Sequence, residues 1–470
     1  MNIIDIIILG MYLVGMIVMG FFANSKVDDM DDFILGGRSL NGITLTGTIV
    51  ATLVGSGMTM GAVGEAYKRG ATGNVLFMYL GLALGLFAFS FLSKKVRETG
   101  KRTMAEIIEA KFGRTSRLIS AVIIIGYAIS IVAINIAGIR TIIISIFGES
   151  LKISAPMLTV IATIFAIFYT STGGFYAVAL MDTIQLGIIV MGIMVLGPII
   201  GLVKAGGLKV IADIYTSMGS SITNPFANGL SSGAIGFLLA YLLSVPGDPS
   251  IPQRALSGKD DKTTKRAFNT AGFMSLAFGV LIILIGTSAY VLAPDLENPE
   301  FALVHFIINN YPVVLKGLTL IGVLGAVISS FDSFLVLATT HIIYDLGSVF
   351  NIKSDEKTTK KIMSLSTVIL GIIALIIALY IQSLFTYLYM VLSVVGAALV
   401  PVFIAALYFQ EKTTSTAANA SMIVGTVVTG VLYLIFGYNV PLGDPVFLGI
   451  ISSTLTLIVV SVFTNKKQAA

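Results

Sequence analysis

Cysteine and tryptophan are absent from the 470 residues, and histidine occurs only at His305 and His341. Without cysteine there is no disulfide, no thiol nucleophile and no cysteine-ligated metal, and two distant histidines make no histidine-based metal site. Charge is scarce as well. Charged residues make up 11% and hydrophobic residues 56% of the chain, with a mean hydropathy of +0.96. Soluble domains carry roughly 25% charged residues, so this surface cannot be wetted on all sides. The net charge of +5 is small for the length and excludes nucleic acid as the primary partner. A His-Glu-x-x-His motif and any nucleophile–base pair are also missing, so the chain does not read as an enzyme.

What is present is a succession of apolar runs of about 20 residues, the length that crosses a bilayer as a helix. Together they predict an all-α polytopic membrane protein with about 13 transmembrane helices. The first run, Ile3 to Phe22, begins with Asp5 rather than with basic residues and reads as a retained span, not a signal peptide. With the N-terminus outside and the C-terminus cytoplasmic, about 22 of the 29 Lys and Arg fall in inside loops, Arg117 and Arg254 among them. The positive excess is thus a marker of topology.

Two spans depart from the uniform Ile/Leu/Val/Ala pattern. The second carries Gly47, Gly55, Gly57, Gly61 and Gly64, a density that invites unwinding. The seventh ends in Pro246-Gly247-Asp248-Pro249-Ser250-Ile251-Pro252, where the prolines remove backbone donors. Non-helical backbone at membrane depth survives only against protein or a watery cavity. Two interrupted spans in matching positions of two halves point to a transporter binding site. The breaks open helices 2–6 and helices 7–11; an odd offset of five inserts the second unit upside down relative to the first. The units predicted are 43–204 and 232–409. Before them lie an extra N-terminal helix and first inside loop (1–42), between them an extracellular loop (205–231), and after them two C-terminal helices with a short basic tail (410–470).

Asp182, Asp248 and Asp332 fall within or beside spans, where an ionisable group costs at least about 2.5–3.5 kcal/mol and is functional by default. Ala326, Ser329, Ser330 and Ser333 share one helical face. Set against freed carbonyls of the broken second span, that face makes an all-oxygen cage of the kind that binds a hard cation such as Na+. Asp182 either supplies a charged ligand for a second cation or anchors its helix to the serine face. Asp248 either pairs with a cationic amine on a solute or caps a helix fragment near the inside mouth. Gly55, Ser56, Gly57 and Met58, with Asp248, are the candidate solute contacts. Arg140 reads as a structural residue snorkelling to the interface, and His341 as packing or interfacial.

Four segments, in order along the chain, resemble the sodium:solute symporter family. They are Asp32-Phe33-Ile-Leu-Gly36-Gly37-Arg38-Ser39-Leu40, Met104 to Gly113, Gly173-Gly174 through Asp182 to Gln185, and Gln253-Arg254 to Asp260. The resemblance implies a LeuT-type 5+5 inverted-repeat core with one N-terminal and two C-terminal extra helices. It implies a Na+ site at the backbone carbonyls of Ala51, Val54 and Ala326 and the hydroxyls of Ser329 and Ser330. It also admits a second Na+ at Asp182, Asp332 and Ser333, where Asp332 replaces a serine found in some members.

The family's proline-carrying members have an Asp-Met-Ser-Gly-Trp run where this chain has Leu53-Val54-Gly55-Ser56-Gly57, which argues against proline. The reading is a Na+-coupled symporter importing a small organic solute, amine- or amino-acid-like, by alternating access. Alternatives are a carboxylate or sugar-type solute, proton coupling on the same fold, or a channel or sensor. Expected partners are the solute, Na+ and the lipid bilayer, without organic cofactor or nucleic acid, in a monomer of the plasma membrane.

Overall fold

The computed structural model describes residues 2–24, 34–71, 74–147, 154–170, 175–222, 224, 226, 232–351, 356–437 and 444–468. The expected Gly173-Gly174 turn, Asp32 and Phe33 lie outside them. The described residues are almost entirely helical, with two isolated bridges, Leu40 to Gly258 and Gly70 to Ser221, as the only extended pairing. The helices that matter for function are α1 (Ile3–Asn24), α2 (Gly42–Leu53), α3 (Ala62–Arg69), α4 (Val75–Glu98), α5 (Met104–Phe112), α6 (Arg114–Phe147) and α7 (Ala155–Thr170). They continue with α8 (Phe175–Ile189), α9 (Gly197–Lys204), α10 (Leu208–Ser217), α11 (Ser232–Gly247), α12 (Ser250–Ser257), α13 (Asp261–Leu292) and α14 (Ala302–Asn310). Last come α15 (Leu315–Thr340), α16 (Glu356–Tyr380), α17 (Leu384–Tyr408), α18 (Ser415–Phe436) and α19 (Pro445–Gln468).

Against about thirteen expected spans, nine helices among the described residues are long and apolar enough to cross a membrane, or eleven if each of two bent pairs is one span. Helices α1 and α7 stand outside that count. The bent pairs fall at the two predicted breaks: Gly42–Leu53 with Gly57–Arg69, at 65°, and Ala234–Gly247 with Ser250–Ser257, at 49°. Helix α15, continued through Val349, is buried along its central stretch, whereas α16, α18 and α19 are largely exposed on their apolar faces and belong at the lipid boundary. Helix α15 packs on α6 and α8, α2 packs on α8, and α11 lies between α4 and α17. The two broken spans and the buried α15 therefore meet at the centre.

Local signals hold these helices in place. Asn41 caps α2, its side chain accepting from the N–H groups of Ile43 and Thr44 at 3.0 Å each. Asp260 caps α13 by accepting from Thr263 N at 2.7 Å, and the Thr263 N–H and hydroxyl hold its exposed carboxyl below the usual range. The buried end of α12 is tied down by Gln253 Nε2 donating to Ile34 O at 2.7 Å. Arg97 of α4 adds bonds to the carbonyls of Ala255 and Gly258 at its far end.

Helix α15 receives its cap from another helix. Asp5 of α1, fully buried, accepts through Oδ1 from Val314 N at 2.9 Å and Gly317 N at 3.2 Å. Val314 itself has φ of 76°, a strained value for a β-branched residue. Replacing Asp5 by Ala should lower stability by about 1 kcal/mol, the usual value of a lost N-cap. Asp5→Asn keeps the accepting oxygen and should lose much less. Thermal unfolding in lipid nanodiscs reads the difference, and equal losses for the two variants would remove the capping role.

Candidate functional site

The first break begins where α2 stops. Val54, at φ −92° and ψ 50°, leaves the helix, and the chain resumes as a π-helical turn over Gly57–Gly61 before α3. Glycine is required at Gly55 because of what faces it. A methyl group there would stand 2.7 Å from Ser330 Oγ and 2.9 Å from Asn135 Oδ1. Asn135, from the middle of apolar α6, accepts the freed Ser56 N–H at 3.1 Å, while Ser56 Oγ donates to Ile134 O at 3.0 Å. The break is thus satisfied by protein, as its depth demands.

Across the break stands the serine face of α15. Ser329 Oγ donates to Ala51 O at 2.9 Å and to Ala326 O at 3.1 Å. Ser330 Oγ lies 2.8 Å from Thr52 O and 3.4 Å from Ala51 O. Four of the five positions expected to form the Na+ cage, Ala51, Ala326, Ser329 and Ser330, are in direct contact, with Val54 at the bend beside them. All five are buried.

The carboxylate of Asp182 reaches the same region from α8. Thr48 Oγ1 donates to Asp182 Oδ2 at 2.6 Å and Thr52 Oγ1 lies 3.5 Å from that oxygen. Asp182 Oδ1 has no hydrogen-bond partner among the described residues. Ser333 Oγ is 3.0 Å from Thr52 Oγ1, and Asp332 beside it is 3% exposed. Gln185, one turn beyond Asp182, donates to the Tyr12 hydroxyl of α1 at 2.7 Å.

One expectation about this region needs correction. Arg254 does not sit in an inside loop as a marker of topology. It is 1% exposed, and its guanidinium enters the Asp182 cluster, 3.9 Å from Asp182 Oδ2. Unpaired, such a charge would be costly at this depth, so the side chain turns inward to acceptors that α2 and α15 supply. Arg117 is buried too, its Nε donating to Asp345 Oδ1 at 2.7 Å and its Nη1 to Glu109 Oε2 at 2.5 Å. His341, read as packing or interfacial, is buried and stands 2.6 Å from Asp345 Oδ2. Arg140 donates to the carbonyls of Ala378 and Ile381, at 3.4 and 3.3 Å, and so caps the end of α16.

The second break opens on a cavity. Its lining includes Thr52, Leu53, Met58, Tyr127, Tyr241, Asp248, Phe334 and Leu388. Of the candidate solute contacts, Met58 and Asp248 line it. Gly55 and Ser56 turn toward Ser330 and α6, and Gly57 abuts Leu388 of α17. Asp248 is 2% exposed; its Oδ2 accepts from the Tyr127 hydroxyl at 3.0 Å and its Oδ1 from Ser250 N at 2.8 Å. It therefore both caps the α12 fragment and faces the cavity, with a lone pair left on each oxygen. Thr48, Thr52, Tyr127, Asn135 and Arg254 are the partners that sequence reasoning passed over. Polar residues inside apolar runs are the only signal that could have found them.

Two broken helices that meet at a buried oxygen cage, beside a cavity faced by a carboxylate, define a secondary transporter of small solutes. The sequence model of the sodium:solute symporter family matches residues 33–425. The chain is 27% identical over 492 aligned residues to the osmoregulated proline transporter OpuE of Bacillus subtilis (strain 168), covering 100% of this chain and 97% of that one. It is 26% identical over 476 residues to the high-affinity proline transporter PutP of the same organism, covering 97% of each. A Na+-coupled sialic acid symporter, solved in a substrate-bound outward-open state, superposes with a TM-score of 0.82 at 20% identity over 98% of each chain, a likeness of fold. The chain belongs to the sodium:solute symporter family and has the LeuT-type fold. It is a sodium-coupled symporter of a small solute and not an enzyme.

The contact at Gly55 makes this geometry testable. Gly55→Ala should push Ser330 off the break, an overpacking cost of roughly 1–3 kcal/mol. Thermal unfolding of the purified protein in nanodiscs should show this loss. Gly10→Ala, where nothing lies within 4 Å, should leave stability unchanged. An unaltered stability of Gly55→Ala would contradict the close approach.

Proposed function

We propose that Na+ binds where Ala51, Val54 and Ala326 present carbonyls and Ser329 and Ser330 present hydroxyls. The supporting observation is the direct contact of both serines with the carbonyls of α2 across the bend, at 2.8 and 2.9 Å. In the arrangement described, each hydroxyl proton is spent on a carbonyl. Na+ would replace those protons: the hydroxyls rotate to offer lone pairs, and the carbonyls turn from accepting hydrogen bonds to coordinating the ion. Sodium then ties the broken helix to α15, and the inward Na+ gradient draws the solute with it. By linkage, solute tightens Na+ binding as much as Na+ tightens solute binding.

The solute pocket is the cavity at the second break, and its recognition element is Asp248 held by Tyr127. Apolar walls with one buried carboxylate suit a solute that carries an ammonium group on an apolar body. The relatives are named for proline, whose carriers resemble this chain throughout, yet the five residues at Leu53 to Gly57 differ from the proline-carrier run. We therefore assign an amine or amino acid other than proline. The two repeats are 43–204 and 232–409, and the bundle that the broken spans belong to rocks between outward- and inward-open states. The protein works as a monomer in the plasma membrane with its N-terminus outside and C-terminus cytoplasmic.

Uptake into proteoliposomes, with and without a Na+ gradient, tests the ion site. Ser329→Ala and Ser330→Ala should each raise the Na+ concentration for half-maximal uptake roughly 10- to 100-fold, as expected for loss of a ligand worth about 1.5–3 kcal/mol. Uptake driven equally well by a pH gradient alone would remove the Na+ assignment.

A solute panel tests the pocket. Amines and amino acids should compete for uptake, and neutral isosteres and sugars should not. Asp248→Asn should weaken the cationic competitors by about 10- to 100-fold while the Na+ requirement stays. Equal competition by a sugar would remove the amine assignment.

A further inference from the structure

Arg254 is among the largest fully buried side chains of the described residues, and its contacts are specific. Nε donates to Thr48 O at 3.2 Å and Nη1 to Ser250 O at 3.1 Å, which fixes the plane of the guanidinium. The ring of Phe175, 5.4 Å away, covers it. The remaining nitrogen, Nη2, donates to the hydroxyl of Thr52 and to Ser333 Oγ at 3.0 Å, and stands 3.9 Å from Asp182 Oδ2. One positive nitrogen thus faces a carboxylate and two hydroxyls contributed by α8, α2 and α15.

Oxygens from three helices, one of them ionised, are the donor set that a hard cation takes. They include Asp182 and Ser333, two of the three residues at which a second Na+ is expected from the family resemblance. We propose that Nη2 of Arg254 is a tethered cation that fills this position, so that the chain binds a single Na+ and Arg254 positions Asp182 and Ser333 beside the Na+ cage. A Na+ on the same three oxygens would have to stand close to where Nη2 stands, against a like charge that two other hydrogen bonds and a ring hold in place. Thr52 links the two positions directly: its hydroxyl accepts from Arg254 while its carbonyl accepts from Ser330 at 2.8 Å. The proposal deepens the reading of the cage as the Na+ site and rests on it.

Radioactive Na+ binding to the purified full-length protein in nanodiscs provides the test, since it requires no knowledge of the solute. The wild type should bind about one Na+ per chain with a Hill coefficient near 1. Arg254→Lys, which keeps the charge, should do the same. Arg254→Gln should expose the second position and bind about two Na+ per chain, and adding Asp182→Asn to it should return the count to about one. A wild type that binds two Na+ overturns the tethered cation and leaves the cage reading standing. A folded Arg254→Gln protein still binding one also overturns it. If Arg254→Gln does not fold, the wild-type and Arg254→Lys counts decide. No saturable Na+ binding in the wild type removes the cage reading, and this proposal with it.

Discussion

A helix that stops inside a membrane must find protein partners for every backbone group it frees, because no water is there to take them. That requirement organises this molecule. At Val54 and Gly55 the chain leaves the helix, and each nearby element answers it: Asn135 of α6 accepts Ser56 N–H, while Ser329 and Ser330 of α15 donate to Ala51 and Thr52. The second break is served in the same way, by Asp248 accepting the first N–H of the α12 fragment and Tyr127 holding Asp248. The groups that satisfy the breaks are the same groups proposed to face ion and solute. Structural need and function use one set of side chains, which explains how a chain with so few polar residues assembles a site.

Satisfying the break with hydroxyls rather than with apolar packing leaves it able to change. A hydroxyl both donates and accepts, so Ser329 and Ser330 can close the break through hydrogen bonds or surrender their lone pairs to a cation. Gly55 allows this by bringing the backbone within reach of both Ser330 and Asn135. The central stretch of α15 is buried and supplies a wall, capped at its N-terminal end by Asp5 from α1. An ion entering the cage therefore changes what holds α2 to α15, the kind of differential contact that shifts a conformational equilibrium.

Much of this was legible in the chain before its fold was known, for definite reasons. Glycine density and clustered prolines mark breaks because their effect on the backbone is local. Serines on one helical face mark a shared polar surface because the helical period is fixed. Arg254 was misjudged by the same local reasoning: it stands next to a basic loop, and only the return of α12 toward α2 shows that its side chain turns inward. Thr48, Thr52 and Asn135 look unremarkable in apolar runs, since their partners lie 79 to 281 residues away. The buried Arg117–Asp345–His341 group escaped notice for that reason too, its members scattered over two span ends. Long-range polar pairing carries no period that a sequence can display.

Charge in the buried core bears on the solute class and ion count proposed above. Asp182, Asp248 and Asp332 are each no more than 3% exposed, and Arg254 is the cation placed among them. With all three carboxylates ionised, the formal balance is three negative charges against one positive, or −2. A net charge of that size is hard to bury, and it is relieved either by protonation of a carboxyl or by positive charge taken up from outside. On the reading proposed above, one Na+ in the cage and one ammonium group at Asp248 would bring the balance to zero, and the two bound species would depend on each other without any direct contact between them. A neutral solute with a single Na+ would leave the core short of one charge. With Arg254 as a fixed third cation, the number of mobile ones is set by the carboxylates rather than by the number of oxygens available to coordinate them. The same accounting explains why an arginine is kept at a depth where burying it is otherwise unfavourable.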